Sequence, residues 1–225
     1  MTVLHLADEG EAADLAAFLS RLIHYDRSAA VRLQAAGTAL AVFGRPASFE
    51  VLAIRAVRLA KPYENGLDVT LDVTVSAGEL LETVDESGAT AAVPGAVTGP
   101  PWAGVLPPRG GWRPESGLPA PDALRATVGA AVAEFRSRTQ ELTPERRTRA
   151  ELDAIGRDIW SRTIGDTPLP VRAVHAAQSL GFLRPGAPVD LFSSGAWLRL
   201  RTPYGSVAVR RAGAGAAALG VSVRR

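Results

Sequence analysis

His5, His24 and His175 are the only imidazoles in a chain of 225 residues that contains no cysteine. Without cysteine there is no thiolate nucleophile, disulfide, thiolate metal site or iron–sulfur cluster. The histidines are far apart, and no H-E-x-x-H helix or D-x-D-x-D-G loop accompanies them, so neither a metal nor another cofactor is expected. The densest titratable group is His24-Tyr25-Asp26-Arg27. It falls where a predicted helix meets a predicted strand. General acid–base chemistry is one reading of it, and a polar helix terminus is the other. Ser193-Ser194-Gly195 lacks the first glycine of a nucleophile elbow and a helix to follow it. Gly213-Ala214-Gly215-Ala216-Ala217-Ala218 fits the permissive dinucleotide pattern but stands too close to Arg225 for a βαβ unit to follow. No residue set demands catalysis, and the chain reads as non-enzymatic.

Charge is the second lead. The net charge of +2 hides an asymmetry: residues 1–120 carry nine basic and fourteen acidic side chains, and residues 121–225 carry sixteen and nine. Net charge is therefore −5 on one side and +7 on the other. Lys61 is the sole lysine. Arginine forks suit phosphate and carboxylate geometry. The abundance of Arg, Ala, Gly and Pro together also has a purely compositional source, a coding sequence rich in G and C.

Residues 94–121 divide the two sides. They hold eight of the sixteen prolines and two of the four tryptophans, Trp102 and Trp112. Proline fixes φ and removes a backbone donor, so this stretch forms neither an ordinary helix nor a central strand. Its tryptophans argue for an ordered strap over a disordered linker, because exposing them gains nothing. Trp102 and Trp112 are also the candidate partner-binding residues, should the Pro-Pro-Trp stretch dock on another protein as polyproline II.

The elements that must position these residues are legible on both sides. In residues 1–93, Thr2–Leu6 reads as a short strand, and a helix follows from Asp8 or Glu9 to about Asp26. Leu15, Phe18, Leu19, Leu22 and Ile23 make its apolar face; Asp8, Glu11, Asp14 and Arg21 lie opposite. Strand-like runs follow at Ala30–Gln34, Ala39–Phe43 and Phe49–Leu59. Asn65-Gly66 signals a turn, Leu67–Val75 alternates as a half-buried strand, and Ser76 with Glu79 fits a capping box for a helix over Ala77–Thr83. This is an acidic α+β lobe.

In residues 122–225, a basic lobe, three helices are predicted: Pro121–Glu141, one starting at Thr143-Pro144-Glu145, and Pro170–Leu180, which Gly181 stops. Val189–Phe192 is a short strand. Trp197–Arg201 and Ser206–Arg210 flank Thr202-Pro203-Tyr204-Gly205 as a hairpin. The last residues are small, flexible and basic. Helix followed by hairpin is the order of a winged helix. In that arrangement Pro170–Leu180 offers Arg172, His175 and Gln178 to a major groove, while Arg199, Arg201 and Arg210 meet phosphates.

The composition, 47% hydrophobic and 21% charged, is that of a globular chain. No run of about 18 apolar residues exists, so no membrane partner is expected. MTVLHLADEGEAAD lacks a basic region followed by an apolar core, so a cytoplasmic location is expected. The expected architecture is α+β: an N-terminal helix on an antiparallel sheet, a Pro/Gly/Trp strap, and a C-terminal helical lobe ending in a β-hairpin. The leading functional expectation is a binding or regulatory protein that contacts nucleic acid through its basic lobe. A protein-interaction module, binding a partner or a second copy, is the alternative; an enzyme at His24–Asp26 is the third reading.

Overall fold

A computed structural model describes residues 2–60 and 71–211. The Asn65-Gly66 turn, the start of the Leu67–Val75 run, the Gly213–Ala218 pattern and the basic tail lie outside the described residues.

Acidic residues and an aspartate cap open the first helix. After strand β1 (Val3–His5), Asp8 accepts a hydrogen bond from Glu11 N at 2.9 Å and starts α1 (Glu9–Tyr25). Leu15, Phe18, Leu19 and Leu22 are buried on one stripe. Strands β2 (Ala30–Ala36), β3 (Ala39–Gly44), β4 (Leu52–Arg58) and β5 (Asp72–Ser76) follow, then α2 (Ala77–Glu82), capped by Ser76. Strands β6 (Val84–Asp85) and β7 (Thr90–Ala92) come next; they escape sequence reading because each is two or three residues long. They pair with each other, and β7 pairs with β1, in a small three-stranded sheet.

The second half contributes β8 (Arg113–Glu115), α3 (Pro121–Gln140), α4 (Arg149–Trp160), α5 (Val171–Ser179), β9 (Asp190–Ser194), β10 (Trp197–Thr202) and β11 (Gly205–Arg210). The start of α4 differs from expectation. Thr143-Pro144-Glu145 leads only into a 3-10 turn, and Thr143 makes no side-chain cap. Thr148 instead accepts from Glu151 N at 3.3 Å, so this Thr-x-x-Glu box, and not the Thr-Pro pair, nucleates the helix.

One antiparallel sheet of eight strands, in the order β5-β2-β3-β4-β11-β10-β9-β8, joins both halves. The junction is β4 against β11, with Ala53 opposite Val207 and Ile54 opposite Ser206. Helices α1, α2 and α5 pack on one face, and α3 and α4 pack on α5. All five helices share a single hydrophobic core with the inner side chains of the sheet. Phe18 of α1 stacks on Phe182, just after α5, with centroids 5.7 Å apart.

The Pro-rich segment crosses the opposite face. Ala96 bridges Val75 at the β5 edge, and Val97 N donates to Thr74 O at 2.9 Å. A 3-10 turn over Pro101–Gly104 places Trp102 on Phe43, Leu52, Ile54 and Ala208. The chain then leaves as β8 at the far edge, Arg113 opposite Ser193 and Pro114 opposite Phe192. Proline is tolerated there because β8 is the outermost strand. The cover explains β4, whose Leu52, Ala53, Ile54 and Arg55 are all buried: helices cover one parity and the strap covers part of the other.

The β10–β11 turn is tied into the core at Gly205, which has φ 153°. A Cβ there would lie 2.5 Å from the Phe182 ring. Gly205→Ala is therefore expected to cost about 2 kcal/mol through overpacking and backbone strain. A urea midpoint equal to that of the wild type would refute the close packing.

Candidate functional site

A groove opens where the strap, the β3–β4 turn, the β10–β11 pair and the start of α5 meet. Its floor is Leu52 opposite Ala208 across β4 and β11. Trp197 stands opposite Arg210 across β10 and β11, with the Arg210 guanidinium 5.2 Å from the indole centroid. Trp102 and Val105 form the strap side, Arg45 and Glu50 come from the turn before β4, and Arg172 comes from the first turn of α5. The groove encloses about 240 Å³.

The turn carrying Trp102 is held from below. The Arg32 guanidinium donates to Ala103 O and forms a two-pronged pair with Asp72, at 2.7 and 2.9 Å. Gln34 adds a bond to the same carboxylate at 3.1 Å. The Arg32 bond pulls Asp72 below the usual carboxylate pKa and raises that of Arg32.

The arginines of the protein fall into paired and unpaired ones, and among the described residues those of the groove are unpaired, as are Arg27, Arg136 and Arg157 elsewhere. Arg32, Arg55, Arg58, Arg162, Arg184 and Arg201 each face a carboxylate within 3.2 Å. Among the described residues, Arg45, Arg172 and Arg210 form no ion pair, and the buried Nε of Arg172 has no hydrogen-bond partner. Three guanidiniums and two indoles thus converge with one carboxylate, Glu50, among them. The set suits an anion attached to a flat ring: forks for the charge and aromatic faces for the ring.

The candidate residues from the sequence separate into groups here. Arg172, Arg210 and Trp102 meet in the groove. Arg199 lies beneath Trp112, its Cζ 5.7 Å from the ring, and donates from Nε to Ser206 Oγ at 2.9 Å. Burial first, then repulsion from Arg201, lowers its pKa from the ordinary arginine value. Trp112 donates its indole N–H to Pro108 O at 3.0 Å. Arg201 pairs with Asp190 at 2.9 Å and lies 4.5 Å from the Phe192 centroid. Gln178 is exposed on α5.

His175 is half-buried against the core. It stacks on Trp160 at 4.7 Å and meets Phe49 edge-on at 5.0 Å, and burial lowers its pKa. Helix α5 buries Val171, Ala173, Val174, Ala176 and Ala177, and β10 and β11 lie inside the sheet. The hairpin is therefore part of the sheet and not a projecting wing, and α5 buries one face in the core while Gln178 stays exposed. The His24–Asp26 cluster also has a structural role. Asp26 accepts from Ser28 N and Oγ at 2.9 and 2.7 Å, ending α1, and Tyr25 packs on Phe49.

Arg45 reads from the sequence as a turn residue, and Glu50 and Trp197 as strand residues, so none of the three stands out as a site residue. Their only sequence signal is that Arg45 and Glu50 bracket a turn between strands that pair. No helix of the described residues is long and apolar enough to cross a membrane.

Comparison with known families splits the chain at the strap. Residues 1–104 match a domain of unknown function, DUF8010, and residues 107–214 match a second, DUF8185. The groove draws residues from both matched regions. No curated protein matches the chain.

Proposed function

We propose that the chain is a binding protein that takes single-stranded nucleic acid along the strap-covered face of its sheet and performs no covalent chemistry of its own. The observation that carries this reading is one groove in which three arginines without carboxylate partners stand beside two tryptophans. Arginines neutralise phosphates, and aromatic faces stack bases at about 1–3 kcal/mol each, with little regard to sequence. A duplex hides its base faces within its own stack. A volume of about 240 Å³ falls below the roughly 300–1,000 Å³ of a site for a drug-sized ligand, so it suits one splayed nucleotide of a longer chain. The basic excess of the second half thus acts together with Arg45 from the first.

The test is fluorescence anisotropy with a labelled oligothymidine and a duplex of equal length. The single strand is expected to bind more tightly. With three phosphate contacts at a slope of about −0.7 each, affinity should fall roughly 20-fold between about 50 and 200 mM salt. Arg172→Ala and Arg210→Ala should each weaken binding, whereas Arg201→Ala, whose charge Asp190 already neutralises, should not. No binding of either oligonucleotide at low salt would overturn the reading.

A further inference from the structure

Glu50 is the one acidic side chain on the groove, and it is held there at a conformational cost. Its φ is 52°, in the left-handed region that favours glycine. The neighbours on both sides are anchored: Phe49 is buried against Tyr25 and His175, and Val51 is buried in the core. The backbone of Glu50 is therefore pinned, and its exposed carboxylate shares the groove with Arg45, Arg172 and Arg210. Among the described residues it forms no ion pair with any of them. Guanidiniums and carboxylate are both left available to a ligand.

We propose that Glu50 reads the base of the bound strand and selects guanine; the inference rests on the single-strand reading above. An ionised carboxylate only accepts hydrogen bonds, through two oxygens side by side. Guanine presents two adjacent N–H donors on its Watson–Crick edge, N1–H and the 2-amino group, and satisfies both oxygens. Adenine and cytosine present one amino group beside a ring nitrogen whose lone pair faces the second oxygen. Thymine presents one N–H between two carbonyls. Only guanine avoids placing an acceptor against an acceptor. A carboxylate near a phosphate backbone also opposes binding in general, so Glu50 lowers the affinity for every other base and sharpens the choice.

The experiment uses the full chain and three labelled oligothymidines whose central residue is thymine, guanine or inosine, the last being guanine without its 2-amino group. The wild type is expected to bind the guanine strand about 10-fold more tightly than the thymine strand, with the inosine strand close to thymine. Glu50→Gln should abolish the preference while holding or raising affinity for the thymine strand. Glu50→Gly suits the observed φ, so its urea stability should equal or exceed that of the wild type while the preference is lost. Equal wild-type affinities for the three strands, or a preference that survives in Glu50→Gln, would overturn base reading and leave single-strand binding standing. Failure to bind any strand would overturn both.

Discussion

Arg55→Ala is expected to destabilise the protein by about 3–5 kcal/mol, because it removes the centre of a buried charged cluster. Arg55 is 5% exposed, on β4. Its guanidinium donates to Glu11 at 3.0 Å and Asp14 at 3.2 Å on α1, and to Tyr204 O at 2.8 Å in the β10–β11 turn. One side chain thus ties the first helix to the last hairpin, and Glu11 beside it is nearly as buried. Truncation opens a cavity and leaves Tyr204 O and the inner oxygen of Glu11 without their donor. Urea unfolding of the single variants and of Arg55→Met with Glu11→Met separates the causes. Arg55→Met alone should cost nearly as much as Arg55→Ala. The double variant should recover part of the loss, since apolar groups then replace Arg55 and Glu11 together while Tyr204 O still lacks its donor. A cost below about 1 kcal/mol for Arg55→Ala would mean that the cluster is solvated and holds nothing together.

The same cluster shows where reading the sequence stops. Periodicity places Leu15, Phe18, Leu19 and Leu22 on the buried stripe of α1, and they are buried, because a helical stripe is a local property. The opposite face, Asp8, Glu11 and Asp14, looks like an ordinary solvated face. In the folded chain Arg58, Arg55 and Arg184 meet it, from β4 and from the segment after α5. Nothing local marks Arg55 as buried; its burial follows from which helix lies over β4. The groove obeys the same logic. Strands β2, β3, β10 and β11 are legible from alternation and turn residues, but the pairing of β4 with β11 joins segments about 150 residues apart, and no spacing rule reports it. Arg45, Trp102, Arg172, Trp197 and Arg210 become neighbours only through that pairing and the path of the strap. Proline content announced the strap, and its tryptophans argued for order; the direction in which it crosses the sheet depended on the sheet.

Replacing Trp102 and Trp112 together with alanine is expected to lower stability by about 3–4 kcal/mol and still leave one unfolding transition. Trp102 loses its packing on Phe43, Leu52, Ile54 and Ala208, worth about 2 kcal/mol for a half-buried indole. Trp112 loses its contact with Arg199 and its bond to Pro108 O, about 1 kcal/mol or somewhat more. The transition stays single because the strap is not what joins the two halves. Strand β4 bonds directly to β11, α5 packs on β11, and Phe18 stacks on Phe182, all within one core. Charge attraction between the halves adds little: residues 1–93 and 122–225 are bridged by the Arg184–Asp14 pair, nearly half exposed on the arginine side, and such pairs contribute about 0–1 kcal/mol. Unfolding monitored by far-ultraviolet circular dichroism and by the fluorescence of the remaining Trp160 and Trp197 should therefore coincide in the double variant. Two separated transitions would show that residues 1–93 and 122–225 are autonomous lobes that only the strap couples. Unchanged stability would show that the strap rests on the sheet without holding it, and the groove beneath Trp102 would then lose its wall.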